Sequence, residues 1–474
     1  MHCLTRYATL LLVFVSPATI AFADAPLADA AESHDTKRVL TLLAQNADVN
    51  GTQVDGMTAL HWAVQHDDVT MVEELIAAKA KVDVENRYGV TPLSLACTNG
   101  NAAIVDALLA AGADPNDKLP GGETVLMTAA RTGKVEPVKA LIAAGADVNA
   151  KERKSQTAIM WAAADGQADV VRLLIDAKAD FATPLKSGFT PLFFAVREGR
   201  SEVVKILVAA GADVNEVMKP ENASGKSPRK GMSPLILAVE NGHFELAVEL
   251  LEAGADPNDQ RSGFTPLHTM TWVRKPNRGD GDDGEPPPQG TGRLTSLPFI
   301  EQLVAHGADV NAQLKKGDGG KAKLNRTGAT PFLLAADTAD VPLMRLLVKL
   351  GADPLLPNAD GSTPLMAAAG FGTLAPQEEA GTEPELLEAV QLAVEFGGDI
   401  NAVDKNGETA MHGAAYNNAP RVVQLLGEKG AKVSVWNQPN KHGWTPLDIA
   451  EGHRPGNFRP SPITLAALKA LLVD

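Results

Sequence analysis

A short signature returns along this chain at a nearly fixed step. Thr91-Pro92-Leu93 is matched, with conservative changes, at Thr58, Thr124, Thr157, Thr190, Ser233, Thr265, Thr330, Thr363, Thr409 and Thr445, and Ala25-Pro26-Leu27 opens an atypical first copy in the same register. The intervals are 33 residues five times in succession, then 43, 32, 65, 33, 46 and 36. Self-similarity at such a period marks an array in which each copy is one small unit that must stack on its neighbours.

The residues of one copy predict its shape. Thr91 can cap a helix and Pro92 suits the first helical turn. A short helix through Leu95, Ala96 and Cys97 should stop near Asn99-Gly100, and a second should carry Ile104, Val105, Leu108 and Leu109 on one face. Gly112 fits the left-handed position just past a helix, and Asp114-Pro115-Asn116 leads into a turn. Aromatic residues are only 4% of the chain, so the core must be built from small and aliphatic side chains, as close helix stacking requires.

With openings such as Thr265-Pro266-Leu267-His268 and closings such as Gly145-Ala146-Asp147-Val148-Asn149 and Gly211-Ala212-Asp213-Val214-Asn215, residues 25 to 474 resemble the ankyrin repeat family. The resemblance implies an all-α solenoid of about twelve helix-turn-helix units joined by β-hairpin-like loops. It also implies that His61, His268 and His412, each fourth in its opening, hydrogen-bond around the Thr. Residues 24–57 and 445–474 read as terminal capping repeats flanking the repeats of 58–444. Lys79 and Lys178 replace the closing Gly, and Asn46 fills that place in the first copy; a side chain there costs on the order of 1 kcal/mol if the backbone is left-handed.

Four insertions break the step, near 217–230, 273–296, 314–326 and 372–385. The second and fourth should lie between the two helices of a repeat, the others in inter-repeat hairpins, so the four are expected to decorate two different surfaces. The hairpin insertions are basic: Lys219, Lys226, Arg229 and Lys230 stand against Glu221, and Lys315, Lys316, Lys321, Lys323 and Arg326 against Asp318. Two readings stay open for them: a surface for an acidic protein, anionic polysaccharide or lipid headgroups, or solvated charge that resists aggregation.

The N-terminal 23 residues read as an export signal. Arg6 precedes an apolar run from Ala8 to Ala23, too short to span a membrane and broken by Pro17, and Ala21-Phe22-Ala23 suits cleavage before Asp24. The mature protein is then expected to be periplasmic or secreted, without a transmembrane segment, monomeric, and with Cys97 as its one cysteine. A formal charge of −15 argues against a nucleic-acid partner.

Signals for chemistry are few. Gly225-Lys226-Ser227 lacks the leading Gly of a phosphate loop, because Pro220 stands there. Asp280, Asp282, Asp283 and Glu285 are not spaced as a helix-loop-helix calcium site, and Cys97 occupies a core-type position. No catalytic, cofactor or metal residues are assigned. What stands out is a row expected to line one continuous concave surface: Tyr88, Phe189, Met232, Phe264 and Trp444 at hairpin tips, with Arg131, Arg197, Trp272 and Tyr416 among the helix-end positions His66, Asn99, Asp165 and Glu240. Exposed aromatics and Arg dominate binding hot spots. The expectation is a non-enzymatic scaffold for an unidentified protein partner, acidic if the basic hairpins meet it. The alternatives are an effector acting on host proteins, and a metal-binding or enzymatic role built on the insertions.

Overall fold

The computed structural model describes residues 25–221, 230–276, 287–317, 323–376, 380–456 and 459–472. The signal-type segment 1–23 and its cleavage site at Ala23/Asp24 lie outside the described residues. So do Gly225-Lys226-Ser227, the acidic run Asp280 to Glu285, and Arg229, Asp318 and Lys321. Among the described residues all regular structure is helical. The chain divides after Arg153 into two compact units.

The first unit holds four helix pairs: Pro26–Glu32 with Thr36–Ala44, Ala59–Gln65 with Val69–Ala77, Pro92–Asn99 with Ala102–Ala110, and Val125–Thr132 with Val135–Ala143. The second holds eight pairs, beginning with Ala158–Asp165 and Ala168–Asp176 and ending with Pro446–Ala450 and Pro462–Ala470. One extra turn of helix, Val433–Trp436, buries Trp436.

The openings work as helix starts. Thr58, Thr91 and Thr124 each accept a hydrogen bond from the backbone N–H three residues on, at 3.3, 3.2 and 3.2 Å. Ser233, Thr265, Thr330, Thr363, Thr409 and Thr445 do the same in the second unit. Each such cap stabilises its helix by about 1 kcal/mol. Small residues let the first helices approach: Ala59, Ala63, Ala96 and Ala129 are fully buried in the first unit, as are Ala195, Ala238 and Ala335 in the second. Aliphatic pairs such as Val72 and Leu75, Val105 and Leu108, or Val138 and Leu141 fill the space beside the second helices. Burying each Leu contributes roughly 1.5–3 kcal/mol.

The closings tie one repeat to the next. The side-chain amide of Asn116 donates to the Gly145 carbonyl at 3.2 Å, and its oxygen accepts from the Asp147 N–H at 2.8 Å. Asn215 bridges to Gly254 and Asp256 in the same way, Asn258 to Gly307 and Asp309, and Asn311 to Gly351 and Asp353. This explains why Asn recurs at that place. The inter-repeat loops are β-like only in outline: two short backbone bonds close a tip, as from Asn86 N–H to the Val90 carbonyl at 3.0 Å and from Gly89 N–H to the Asn86 carbonyl at 2.9 Å. Among the described residues, Lys118 and Thr124 form the one isolated bridge.

Lys79 and Lys178 do sit in the left-handed region, at φ 70° and 67°, as does Asn46 at 58°. A β-carbon there is strained, whereas Gly is not, although Gly also loosens the unfolded chain. Lys178→Gly should therefore raise stability by about 0.5 kcal/mol. Urea unfolding of the variant beside Asn46→Gly, where less strain is present to relieve, measures the difference.

Candidate interaction surface

In the first unit the outward row begins with rings. His34 and His66 stack with centroids 4.8 Å apart, and Trp62 lies 6.1 Å from His66. His66 bonds to the Glu32 carbonyl at 2.9 Å, His34 to Asp68 at 3.1 Å, and the Trp62 indole donates to Gln53 at 2.7 Å. His34 and Trp62 were not legible as surface residues; the repeat register aligns only His66 with the helix-end column. Tyr88 is 60% exposed at a loop tip, with the Arg87 guanidinium 5.0 Å above its ring. Arg131 ends its helix in solvent. Asn99 instead reaches back to the Val64 carbonyl at 2.9 Å, closing the previous repeat.

In the second unit three expected contact residues are inside. Phe189, Met232 and Tyr416 are only 9, 4 and 1% exposed. Phe189 is wedged against Phe193 and Phe194, with centroids 6.1 and 5.2 Å away, while the Arg197 guanidinium covers both Phe189 and Phe194. Met232 is drawn in because its carbonyl accepts from the Met218 N–H at the mouth of the 217–230 insertion, which places both Met side chains in the core. Tyr416 folds back to Glu408, at 3.3 Å, and to Asn440, whose amide donates to its hydroxyl at 3.1 Å. Those three rows are corrected to packing roles.

Arg197 remains exposed, paired with Glu198 at 2.8 Å. Phe264 and Trp272 are half-buried and meet edge to face at 4.8 Å. Trp444, also half-buried, lies against His442 at 5.2 Å. Within this unit the accessible features are therefore Arg197, the Phe264–Trp272 pair and Trp444.

The opening histidines hold structure together. His61 bonds to the Thr58 hydroxyl at 2.8 Å and, through its other nitrogen, to the Val90 carbonyl of the next loop at 3.0 Å. His268 repeats this with Thr265 and Ala329, at 2.8 and 3.1 Å. Burial pushes His268 and His412 down to about 4, so both are neutral near pH 7. Burial likewise pushes the Cys97 thiol up to about 12, which removes its nucleophilic form. Among the described residues, no group of three His, Cys, Asp or Glu is arranged to hold a metal ion.

The insertions do not keep to separate surfaces. Gly372, in the insertion that follows the helix Pro364–Ala368, lies so close to Leu324 of the hairpin insertion that a β-carbon would come within 2.6 Å of the Leu324 nitrogen. Phe371 and Leu374 of that insertion lie there beside Trp272 and Thr338, at the ends of two first helices. Returning residues of the 273–296 insertion dock in the opposite sense, onto the preceding repeat. The Thr291 N–H donates to His243 at 2.9 Å, and the Arg293 and Leu294 N–H groups donate to Glu245 at 2.6 and 3.1 Å. Gly290 passes against the Gly242 carbonyl where no side chain fits.

His243 and Glu245 are anchors that sequence reasoning missed. A signal existed: the residue before each second helix is a long donor in several repeats. Lys134 reaches the Asn99 carbonyl, Arg200 that of Ala164, and His243 that of Arg197.

Between these folded-back segments lies a cavity of about 350 Å³. Its floor includes Leu324, Leu334 and Phe371, all buried, and Trp272, Lys275, Lys323 and Arg326 stand around it. It brings together Trp272, expected on the groove, and Lys323 and Arg326 of the basic hairpin insertion.

Models of ankyrin repeats match residues 27–119 and 126–218 as runs of three copies, 230–261 as a single repeat, and 388–450 as part of a multi-copy run, together more than half of the chain. The chain belongs to the ankyrin repeat family. Its curated relatives include Inversin from Canis lupus familiaris, 30% identical over 158 residues, covering 33% of this chain and 12% of that protein. The putative palmitoyltransferase ZDHHC13 from Danio rerio is 29% identical over 160 residues, 34% of this chain and 21% of that protein. Protein lin-12 from Caenorhabditis elegans is 32% identical over 136 residues, 28% of this chain and 8% of that protein. The chain thus spans a fifth or less of most of these relatives' length, and the likeness lies in shared repeats. Arrays of ankyrin repeats are protein-interaction scaffolds. No helix among the described residues is long and apolar enough to cross a membrane.

Proposed function

We propose that this ankyrin array is an exported, non-catalytic scaffold that binds a protein partner in the periplasm or outside the cell. The observation that carries the reading is the set of accessible aromatic and Arg side chains at helix ends and loop tips: Tyr88 and Arg131 in the first unit, and Arg197, Trp272 and Trp444 in the second. Rings and guanidinium groups held by neighbours lose little conformational freedom on binding, which is why they act as anchors. The opening histidines His268 and His412 and Cys97 are spent on packing, and burial leaves them without the charged or nucleophilic forms that catalysis would use. Export follows from the segment 1–23, with removal between Ala23 and Asp24.

Affinity capture from the cell envelope tests the scaffold. The intact chain should retain a defined protein that an Arg131→Ala/Arg197→Ala/Trp272→Ala variant retains at least tenfold less; equal retention sinks the assignment of these anchors. Fractionating cells and medium, with the intact mass of the recovered chain, tests export. A cytoplasmic product still carrying Met1 to Ala23 would end that part of the reading.

A further inference from the structure

The cavity of the second unit is bordered by segments that the regular repeat lacks. Three segments that depart from the regular repeat contribute to it: Lys275 just past the helix Pro266–Arg274, Lys323, Leu324 and Arg326 in the hairpin insertion, and Phe371, Gly372, Leu374 and Ala380 after the helix Pro364–Ala368. In a regular repeat none of these segments exists at that length, so the insertions close the cavity over the ends of the first helices Pro266–Arg274 and Pro331–Asp337, which supply Trp272 and Leu334.

Its charge is uneven. Lys275 is held by Glu385, an ion pair that ties the last turn of one repeat to the start of the helix Glu383–Glu395. Lys323 and Arg326 are exposed at the rim, and neither shares an ion pair with a carboxylate among the described residues. Beneath them lie Leu324, Leu334 and Phe371 at 7, 3 and 2% exposure, with the half-buried ring of Trp272 at one side and the Asp337 carboxylate and the Thr271 and Thr338 hydroxyls completing the wall. A volume of about 350 Å³ falls at the small end of ligand sites and suits one or two side chains better than a cofactor. Among the described residues, Lys323 and Arg326 outnumber the single lining carboxylate that Lys275 does not hold, Asp337, so on a chain whose net charge is −15 the rim is a local excess of positive charge that attracts anions.

We propose that this cavity binds an acidic peptide segment of the partner, seating an apolar or aromatic side chain on Phe371 and Leu324 while an adjacent carboxylate pairs with Lys323 and Arg326. The guanidinium of Arg326 can take a carboxylate through two parallel hydrogen bonds, and Lys323 adds a point charge. The proposal rests on the reading of the array as a protein-binding scaffold and supplies the chemistry of what is bound.

The test is a selection of random twelve-residue peptides displayed on phage against the full chain, followed by binding of the enriched peptides to a Lys323→Glu/Arg326→Glu variant. Both side chains are exposed, so the variant should melt with the parent, and circular dichroism checks that it does. Enriched peptides should carry Asp or Glu beside Phe, Trp or Leu. They should bind the variant at least tenfold more weakly, and lose affinity for the parent as NaCl rises from 50 to 300 mM. Peptides without acidic residues, or peptides that bind the variant equally well, would overturn the cavity while leaving the scaffold intact. A selection that enriches nothing would count against both.

Discussion

Stability of the second unit should pass through a maximum near pH 6.5 and fall on both sides. The alkaline side belongs to Glu408. Its carboxyl is buried, with Oε1 accepting from the Asn440 amide at 2.8 Å and from Tyr416 at 3.3 Å. Burial, reinforced by the neighbouring charge of Asp404, pushes it up to about 8 from an ordinary value of 4.5. A group raised in the folded state binds more protons folded than unfolded between those values. Its stabilising contribution is complete below about 4.5 and is lost as pH climbs through 8. The total at stake is on the order of 4 kcal/mol. The acid side belongs to His268 and His412, which burial lowers from 6.5 to about 4. Their contribution is complete above 6.5 and disappears as pH falls through 4. Between 4.5 and 6.5 the two histidines outweigh Glu408, and Glu216, whose carboxyl burial also raises, offsets part of the difference, so stability rises gently with pH there. Above 6.5 the histidines no longer contribute and Glu408 dominates, so stability declines. Glu408→Gln keeps an oxygen for Asn440 and removes the ionisable proton, so it should flatten the alkaline limb. At pH 8.5 the variant should be more stable than the parent by a few kcal/mol, and at pH 5 nearly equal to it. Urea titrations across this range, with hydrogen exchange in the helices Ala410–Tyr416 and Pro446–Ala450, measure both. A parent whose stability stays level from pH 6.5 to 8.5 would mean that Glu408 is ionised and solvated.

The repeats were readable because each residue in them acts locally. Thr caps its own helix, Pro sets the first turn, and the position of Gly112, Lys79 and Lys178 demands a positive φ whatever lies nearby. What could not be read depends on which distant segment arrives. Tyr416 shares a register position with Arg131 and Arg197, yet it is buried because Glu408 and Asn440 offer its hydroxyl a partner in the adjoining loops. Phe189 looks like an exposed tip until Phe194 and Arg197 close over it. The insertions were locatable from spacing, but their paths were not. Nothing in the chain order announces that Gly372 meets Leu324, or that Thr291 seeks His243, 48 residues away. The cavity was invisible for the same reason, since its walls are brought together only by those returns, although Trp272 and the basic character of the hairpin insertion were both plain in the chain. The accessible surface was thus legible as a position in the repeat, and its true occupants only through packing.

Breaking one ion pair should cost more than losing any single cap. Arg274, at the end of the helix Pro266–Arg274, donates from Nε and Nη2 to the two oxygens of Asp340, at 2.7 and 2.9 Å. Asp340 is fully buried and also accepts from the Leu343 N–H at 3.2 Å, capping the helix Val341–Lys349. Arg274 further bonds the hydroxyl of Ser296, where the next helix begins, so one guanidinium holds both ends of the inserted segment and the cap of the following repeat. Removing the cation leaves a carboxylate with no counter-charge in a site that water does not reach. Arg274→Met should therefore lose about 3–5 kcal/mol, well above the roughly 1 kcal/mol of an exposed ion pair. The charge, and not the shape, is responsible if Arg274→Met/Asp340→Asn recovers most of that loss, because the amide still caps Leu343 and leaves nothing ionised inside. Freed from its clamp, the segment from Thr291 to Leu294 should also exchange its amide protons faster in Arg274→Met. A single variant costing under about 1 kcal/mol, or a double variant no more stable than the single, would show that Asp340 keeps its charge with other help and that the clamp contributes little.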